Sequence, residues 1–574
     1  MSRLAGIADL LFRPAVFAPL LAVLALAVSA CFANRGPPTS DEGVVLAWAG
    51  KILRGGVFYR DIDAYQFPGA AYLLAGWMRL FGESVNAARW LAAGVFTSLL
   101  LGLYWIARAL LDRRRAALFG LGLLSIKFLG WPAFTAYMYS DLSLCFACFA
   151  IAFLVRHPYR GASIQLVAAG VLVALATAAK QNLGIYLAGA SILLLAFSPG
   201  LLGVPHRQFR ERLSEVGAFA LGLSVAGVPM LGYFAVQGLL PSLIFSGLLR
   251  PFLEYLPNSG ISFAEPLAWW RLGELRGNAG FPFCIGPYWS MLMKGVLPGE
   301  SWYSIYWMAG EIFVRALYTS VVVAFPVVFW RWGRALRMRR ISPRDRKPFA
   351  FACLALAVFL SAFPRADFFH VMSVYPVVFL LLFGLRRTAD EEVDDPESRA
   401  RAPWLSACAV ALLLLVTASL AVPHTARMTY RMQTRRADLY IDPANSWIES
   451  VVNQVEEALY PGEPLFVYGH EAYYYFLTGH YSPWPFAQLY PGQVGGDRGM
   501  PLVRVLRRVP PRLIIRGLME WPGVPKISSY AEALDFWVMV KYDTDRDFFE
   551  RHPPPSGVEP PGWAIGILER RRRR

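Results

Sequence analysis

The chain has 574 residues, of which 56% are hydrophobic and only 17% charged, with a mean hydropathy of +0.41. That balance excludes an ordinary soluble globular protein and fits a polytopic α-helical membrane protein. The net charge of +16 would suit a nucleic-acid binder, but in a membrane chain a basic excess marks cytoplasmic loops instead.

The first apolar run extends from about Ala15 to Ala33. Its "VSAC" end resembles a lipoprotein processing site, as in a signal peptide. The run is nevertheless long enough to span and is read as an uncleaved first helix. Further apolar runs follow at 87–108, 115–132, 140–155, 162–179, 183–202, 214–236, 312–331, 349–363, 370–385 and 404–423, which predicts about eleven transmembrane helices. The segments 108–115, 156–160, 206–212, 331–347 and 386–401 each carry several Arg or Lys and alternate with loops poor in them. The positive-inside rule then places the N-terminus in the cytoplasm and the C-terminus outside. Residues 68–82, "PGAAYLLAGWMRLFG", are apolar but short and read as an interfacial helix. Cys145-x-x-Cys148 lies within a span and reads as packing. With Cys31, Cys284, Cys353 and Cys408 scattered elsewhere, there is no disulfide framework.

After residue 423 the composition turns polar. "PLFVYG" (464–469) and "RLIIRG" (512–517) look like short buried strands, and 446–459 and 499–509 have helical periodicity. The division is therefore a transmembrane domain, 1–423, and an extracytoplasmic C-terminal α/β domain, 424–574. The terminal run Arg570–Arg574 reads as a solvated tail.

This topology gathers charged and polar residues at one membrane face, where polar groups are expected to mark sites. They are Asp41, Glu42, Asp61, Asp63, Lys180, Gln181, Arg365, Asp367 and His370. Each also has an ordinary structural explanation. Thr39-x-x-Glu42 fits a capping box; Lys180 could snorkel to headgroups. Arg365 and Asp367 could be a surface ion pair, His370 a satisfied polar residue, and Asp141 a helix cap. The aromatics Trp269, Trp270, Tyr288, Trp289, Trp302, Tyr303, Tyr306 and Trp307 suit a membrane interface, or stacking on a sugar or a lipid chain. Together the set offers a general base, cations and an aromatic rim at a lipid–water boundary. It suits group transfer from a lipid phosphate to a hydroxyl, with the base taking the acceptor proton and the cations stabilising the leaving phosphate. Asp41, in a first helical turn, would stay ionised with help from the helix dipole.

Residues 40–89 carry Asp41-Glu42, Gly55 or Gly56 ahead of Tyr59 and Asp61, Pro68, Phe81-Gly82-x-Ser84 and Arg89. This pattern resembles the first outer loop of GT-C glycosyltransferases, within the broad family 39 group of protein O-mannosyltransferase and aminoarabinose transferase relatives. "ATAAKQNLG" (176–184), "FPRADFFH" (363–370) and 464–486 look like later segments of related sequences. One departure is that "QFPG" has a single proline where many relatives have two.

The resemblance implies a GT-C fold, a bacterial-type inner membrane as the location, and inverting transfer from a polyprenyl-phosphate sugar to a glycan, lipid or protein hydroxyl. Asp41 would be the base, with Glu42 beside it and Asp61 a second acid. Lys180, Arg365 and His370 would face the donor phosphate, with Gln181, Asp63 and Asp367 as further site residues. The sequence offers no metal-ligand cluster, and the resemblance implies no required cofactor or metal. The rival readings are a lipid or glycan transporter or flippase, which would place its site at mid-bilayer on broken helices or repeats, and a non-catalytic scaffold around the outer domain.

Overall fold

A computed structural model describes residues 12–129, 135–159, 161–198, 202, 209–272, 301–338, 343–363, 365–390, 407–418, 421, 425–517, 525–545, 548–558 and 565–571. Helix α1 spans Pro14–Ala33, α2 Ser40–Leu53, α3 Gly69–Phe81 and α4 Val85–Leu110. The chain continues through α5 (Arg113–Leu123), α6 (Ser125–Leu129), α7 (Tyr139–Arg156), α8 (Ile164–Ala179), α9 (Gln181–Ala196) and α10 (Phe209–Val236). Beyond the short turns of 240–271 come α11 (Ser301–Arg337), α12 (Pro343–Leu360), α13 (Phe368–Asp390) and α14 (Ala407–Ala418).

The protein is a multi-pass membrane protein. Among the described residues, five helices are long and apolar enough to cross a membrane: α1, α4, α7, α10 and the Glu311–Arg337 part of α11. All eleven expected runs carry helix, but α8, α9 and α14 are short apolar helices, and so is the apolar part of α13. The expected single span over 115–132 is broken into α5 and α6. Gly120 and Gly122 weaken the helix there, and the Ser125 hydroxyl donates to the Gly122 carbonyl. Outer and inner helices separate clearly: 17% of the α10 window and 28% of the α1 window are buried, against 67% for α4. Thus α4 is central, while α1 and α10 turn most of their surface outward, as lipid-facing helices do.

Small residues set a close helix contact. A Cβ on Gly170 of α8 would lie 2.1 Å from the Phe219 carbonyl of α10, and one on Gly222 would lie 2.1 Å from the Val167 carbonyl. The two backbones touch because neither residue has a side chain.

The described strands all lie beyond residue 429. Strands β1 (Tyr430–Thr434) and β2 (Ala437–Ile441) form an antiparallel hairpin. It docks on the α1–α2 and α3–α4 loops, with Tyr440 N–H donating to the Asn34 carbonyl at 2.7 Å and Val85 N–H to Arg436 at 2.9 Å. Strands β3 (Phe466–Tyr468), β4 (Leu513–Gly517), β5 (Tyr542–Thr544) and β6 (Ile565–Arg570) form a sheet of order β3-β4-β6-β5, with only β3–β4 parallel. Its pleat sends alternate residues to different cores. Phe466, Tyr468, Ile514 and Leu568 join a local core with Leu502, Leu506 and Trp537. Val467, Leu513, Ile515 and Ile567 join the large cluster that contains Val45 and Leu46 of α2 and the membrane helices. The sheet is therefore welded to the membrane part by continuous apolar packing.

Candidate functional site

The site grows from the first turn of α2. Thr39 caps it: its hydroxyl accepts from Glu42 N–H at 3.2 Å, and Glu42 Oε2 accepts from Thr39 N–H at 3.3 Å. This is the capping box expected from the sequence. Glu42 does more. Arg89 of α4 donates Nε to Oε1 at 2.8 Å and Nη2 to Oε2 at 2.9 Å. The remaining Arg89 N–H groups go to the carbonyls of Arg35, Gly36 and Pro37 at 3.0, 3.0 and 3.2 Å. Arg89 and Glu42 are 2% and 1% exposed, so all five guanidinium donors are spent inside the protein. Both Glu42 oxygens are committed, and its place is that of an anchor for the loop, not of a catalytic acid.

Asp41 differs in every respect. It is exposed, and its carboxylate makes no hydrogen bond among the described residues. Protein surrounds it at longer range, and that burial raises its pKa; His370 and Arg365 pull it down and Asp367 pushes it up, leaving a net rise. A carboxylate poised above its ordinary value is a better proton acceptor.

The groups that Asp41 senses come from the loop before α13. Asp367 Oδ2 accepts from Arg365 Nε at 2.7 Å; its Oδ1 accepts from His370 N–H at 2.9 Å and lies 2.7 Å from His370 Nδ1. Burial disfavours the Asp367 charge, but His370 and Arg365 outweigh this and hold its carboxyl well below the usual range. Asp367 thus caps α13 and aims a cation and an imidazole. His370 keeps 31% of its side chain exposed. Lys180, at the α8–α9 junction, is 8% exposed and interacts electrostatically with Asp367 and Asp141. Asn182 fastens this junction to the α12–α13 loop through the Ser361 and Phe363 carbonyls at 3.0 and 3.3 Å. Asp41, Lys180, Arg365, Asp367 and His370 are therefore brought together.

Besides Glu42, three further expected site residues are not part of this group. Asp61 turns its own loop, accepting from Val57 N–H at 2.8 Å and Arg60 Nε at 3.1 Å. Asp63 accepts from Arg250 Nη1 at 2.7 Å. Arg250 in turn holds Glu254 at 2.6 Å and the Gly492 carbonyl at 3.1 Å, between the rings of Tyr65 and Phe486. Gln181 spends its amide on main chain: Phe67 N–H at 3.2 Å and the Tyr65 and Gly247 carbonyls at 2.6 and 2.8 Å. These residues shape the 57–69 loop, where Tyr59 holds a left-handed φ of 66°.

Sequence reading missed Lys127, 1% exposed and coupled electrostatically to Asp141 and Arg89. A lysine inside an apolar run was the available signal. It also missed Arg250, Ser40 and Gln488. Trp269 donates to Thr319 at 2.9 Å and Trp270 is 82% exposed. Tyr288 and Trp289, and the side chains of Trp302, Tyr303, Tyr306 and Trp307, lie outside the described residues. Cys31, Cys145, Cys148, Cys353 and Cys408 are free thiols, and Cys284 lies outside the described residues. Among the described residues no group of three or more His, Cys, Asp and Glu could hold a metal ion.

Comparison places this geometry among known folds. The family model for dolichyl-phosphate-mannose-protein mannosyltransferase matches residues 66–225. A search of curated proteins gives no match. Among solved structures, ArnT from Cupriavidus metallidurans bound to undecaprenyl phosphate aligns over 97% of this chain and 98% of its own, at 14% identity and a TM-score of 0.53. The Archaeoglobus fulgidus oligosaccharyltransferase tethered to an acceptor peptide aligns over 88% of this chain and 70% of its own, at 12% identity and a TM-score of 0.47. Near-complete alignment with ArnT, together with the capped α2 turn and the apolar helices, identifies the architecture: the chain is built on the GT-C fold.

Proposed function

We propose that the protein is an integral-membrane glycosyltransferase that moves a sugar from a polyprenyl-phosphate-linked donor to an acceptor hydroxyl on the extracytoplasmic side, with inversion at the anomeric carbon. One observation carries the reading: Asp41 is open, makes no hydrogen bond among the described residues, and senses the charges of Arg365 and His370, both held by Asp367. In this mechanism Asp41 takes the acceptor hydroxyl proton as the oxygen attacks the anomeric carbon. The bond from that carbon to the phosphate oxygen breaks on the opposite face, and polyprenyl phosphate leaves with the electron pair. Arg365, His370 and Lys180 stabilise the negative charge that develops on it. The proton ends on Asp41 and passes to solvent. The mannosyltransferase model matching 66–225 and the undecaprenyl phosphate bound by ArnT support this class of donor. The acceptor is a glycan, lipid or protein hydroxyl, and the site lies in a multi-pass protein of a bacterial-type inner membrane.

The test is to give the purified full-length protein a labelled polyprenyl-phosphate sugar and an extract of envelope acceptors. A transferase releases free polyprenyl phosphate in step with acceptor glycosylation. Movement of intact donor across vesicles without its cleavage would favour a transporter or flippase and overturn the proposal.

A further inference from the structure

The face of α2 turned away from Arg89 is made of small residues: Ser40, Gly43, Ala47 and Gly50. At helical spacing these positions share one stripe, and the segment 470–482 lies against it. The Ser40 hydroxyl donates to the His470 carbonyl. Gln488 Nε2 donates to Ser40 Oγ at 2.9 Å and to the same carbonyl at 3.3 Å. Ser40, His470 and Gln488 are 7%, 6% and 8% exposed, so water does not compete for these bonds. One turn on, a Cβ at Gly43 would come within 2.2 Å of Tyr473 N, and at Gly50 within 1.9 Å of the Tyr481 hydroxyl. The helix and the C-terminal segment thus meet backbone to backbone at one point and are hydrogen-bonded at another.

The first turn of α2 is in this way held on two sides. Glu42 is fastened to Arg89, Ser40 to His470 and Gln488, and Asp41 stands between them. We propose that the C-terminal domain is a positioning element for the reaction: Gln488 and the His470 carbonyl, acting through Ser40, fix the rotation and depth of the turn that carries Asp41. The inference rests on Asp41 being the base. A displacement of about 1 Å in a reacting group costs on the order of 10²-fold in rate, so a contact with no substrate of its own can govern turnover. The donor phosphate is met by Arg365, His370 and Lys180, which lie on other elements, so loss of the contact should spare donor binding.

The experiment uses full-length protein with Ser40→Ala, Gln488→Leu, Ser40→Thr and the near-isosteric Gln488→Glu, which loses the N–H donors. Turnover, donor KM and backbone hydrogen exchange of residues 40–46 are measured for each. Expected are a kcat loss of about 10- to 100-fold with donor KM unchanged, faster exchange at 40–46 in Ser40→Ala and Gln488→Leu, and partial recovery of both in Ser40→Thr. Wild-type kcat and exchange in Gln488→Leu and Gln488→Glu, with Asp41→Asn inactive, would overturn the positioning role. An active Asp41→Asn would instead remove the underlying assignment of the base, whatever the exchange data show.

Discussion

Two charged assemblies meet at the first turn of α2 and differ in what they leave over. Arg89 and Glu42 exhaust their hydrogen-bonding capacity on each other and on nearby main chain, almost out of contact with solvent. Asp367 also holds a cation and an imidazole, yet His370 keeps an open edge, and Asp41, which senses both groups, is exposed. The difference teaches how to separate scaffold from site in a loop crowded with charge. A closed ion pair fixes backbone; an open one keeps field to spend on a ligand. Arg250, shared among Asp63, Glu254 and Gly492, falls on the closed side.

The sharpest way to break this contrast is Asp41→Asn. The amide preserves shape but takes no proton, so transfer should fall by about 10²–10⁴-fold with donor binding intact. The raised carboxyl pKa adds a sign: wild-type turnover should be lost as pH falls through a value above that of an ordinary aspartate. Full activity in Asp41→Asn, or a titration at the ordinary value, would place the base elsewhere. The adjacent Glu42→Gln should behave in the opposite way. A capping box alone would make it silent, because Gln can fill the same role. It strips Arg89 of its buried counter-charge, however, and should cost about 3–5 kcal/mol of stability, read as a lower melting temperature. Surviving protein should keep its turnover per folded molecule.

On the open side, Arg365→Ala should slow transfer by on the order of 10²-fold and weaken use of the donor more than of the acceptor. Arg365→Lys should recover little, since lysine lacks the planar fork; unchanged turnover would move Arg365 to the closed class. A smaller effect should come from Glu471 in the C-terminal domain. Burial lifts its carboxyl from 4.5 to about 7, so the folded state holds a proton that the unfolded state releases. Its contribution is present in full below about pH 4.5 and is lost as pH rises through about 7. Glu471→Gln should therefore flatten the decline in melting temperature between those values, and a decline of equal slope in the variant would refute this. Smallest, Gly170→Ala should cost about 1–3 kcal/mol by overpacking the α8–α10 contact, without altering donor KM.

Much of the scaffold was legible in the sequence. Apolar runs located the helices, the proline-led short run became α3, and Thr39-x-x-Glu42 became the cap, because each is encoded by neighbours in the chain. The grouping of Asp41 with Lys180, Arg365 and His370 was reached by counting spans, which puts distant residues at one depth. What failed was the step from depth to contact. Gln181 and Asp63 sit at the right level, but their partners are a main-chain loop and Arg250, and no periodicity reports pairings more than a hundred residues apart. The Glu42–Arg89 pair, with both members inside one motif, was overlooked because the cap already accounted for Glu42. Lys127 was hidden by the apolar run around it. The order β3-β4-β6-β5 was illegible because strands far apart in sequence become neighbours.

That strand order has a consequence for assembly. Strand β6 is an inner strand, paired on both edges, and it comprises residues 565–570. Its Ile567 belongs to the same apolar cluster as Val45 and Leu46, a few residues from Asp41. The sheet cannot close, nor its face of that cluster be sealed, until residues 565–570 have left the ribosome. On the positioning role proposed above, a nascent chain that has threaded its membrane helices but not yet paired β6 still lacks part of the support for the Asp41 turn, and its turnover should begin only once β6 has joined the sheet.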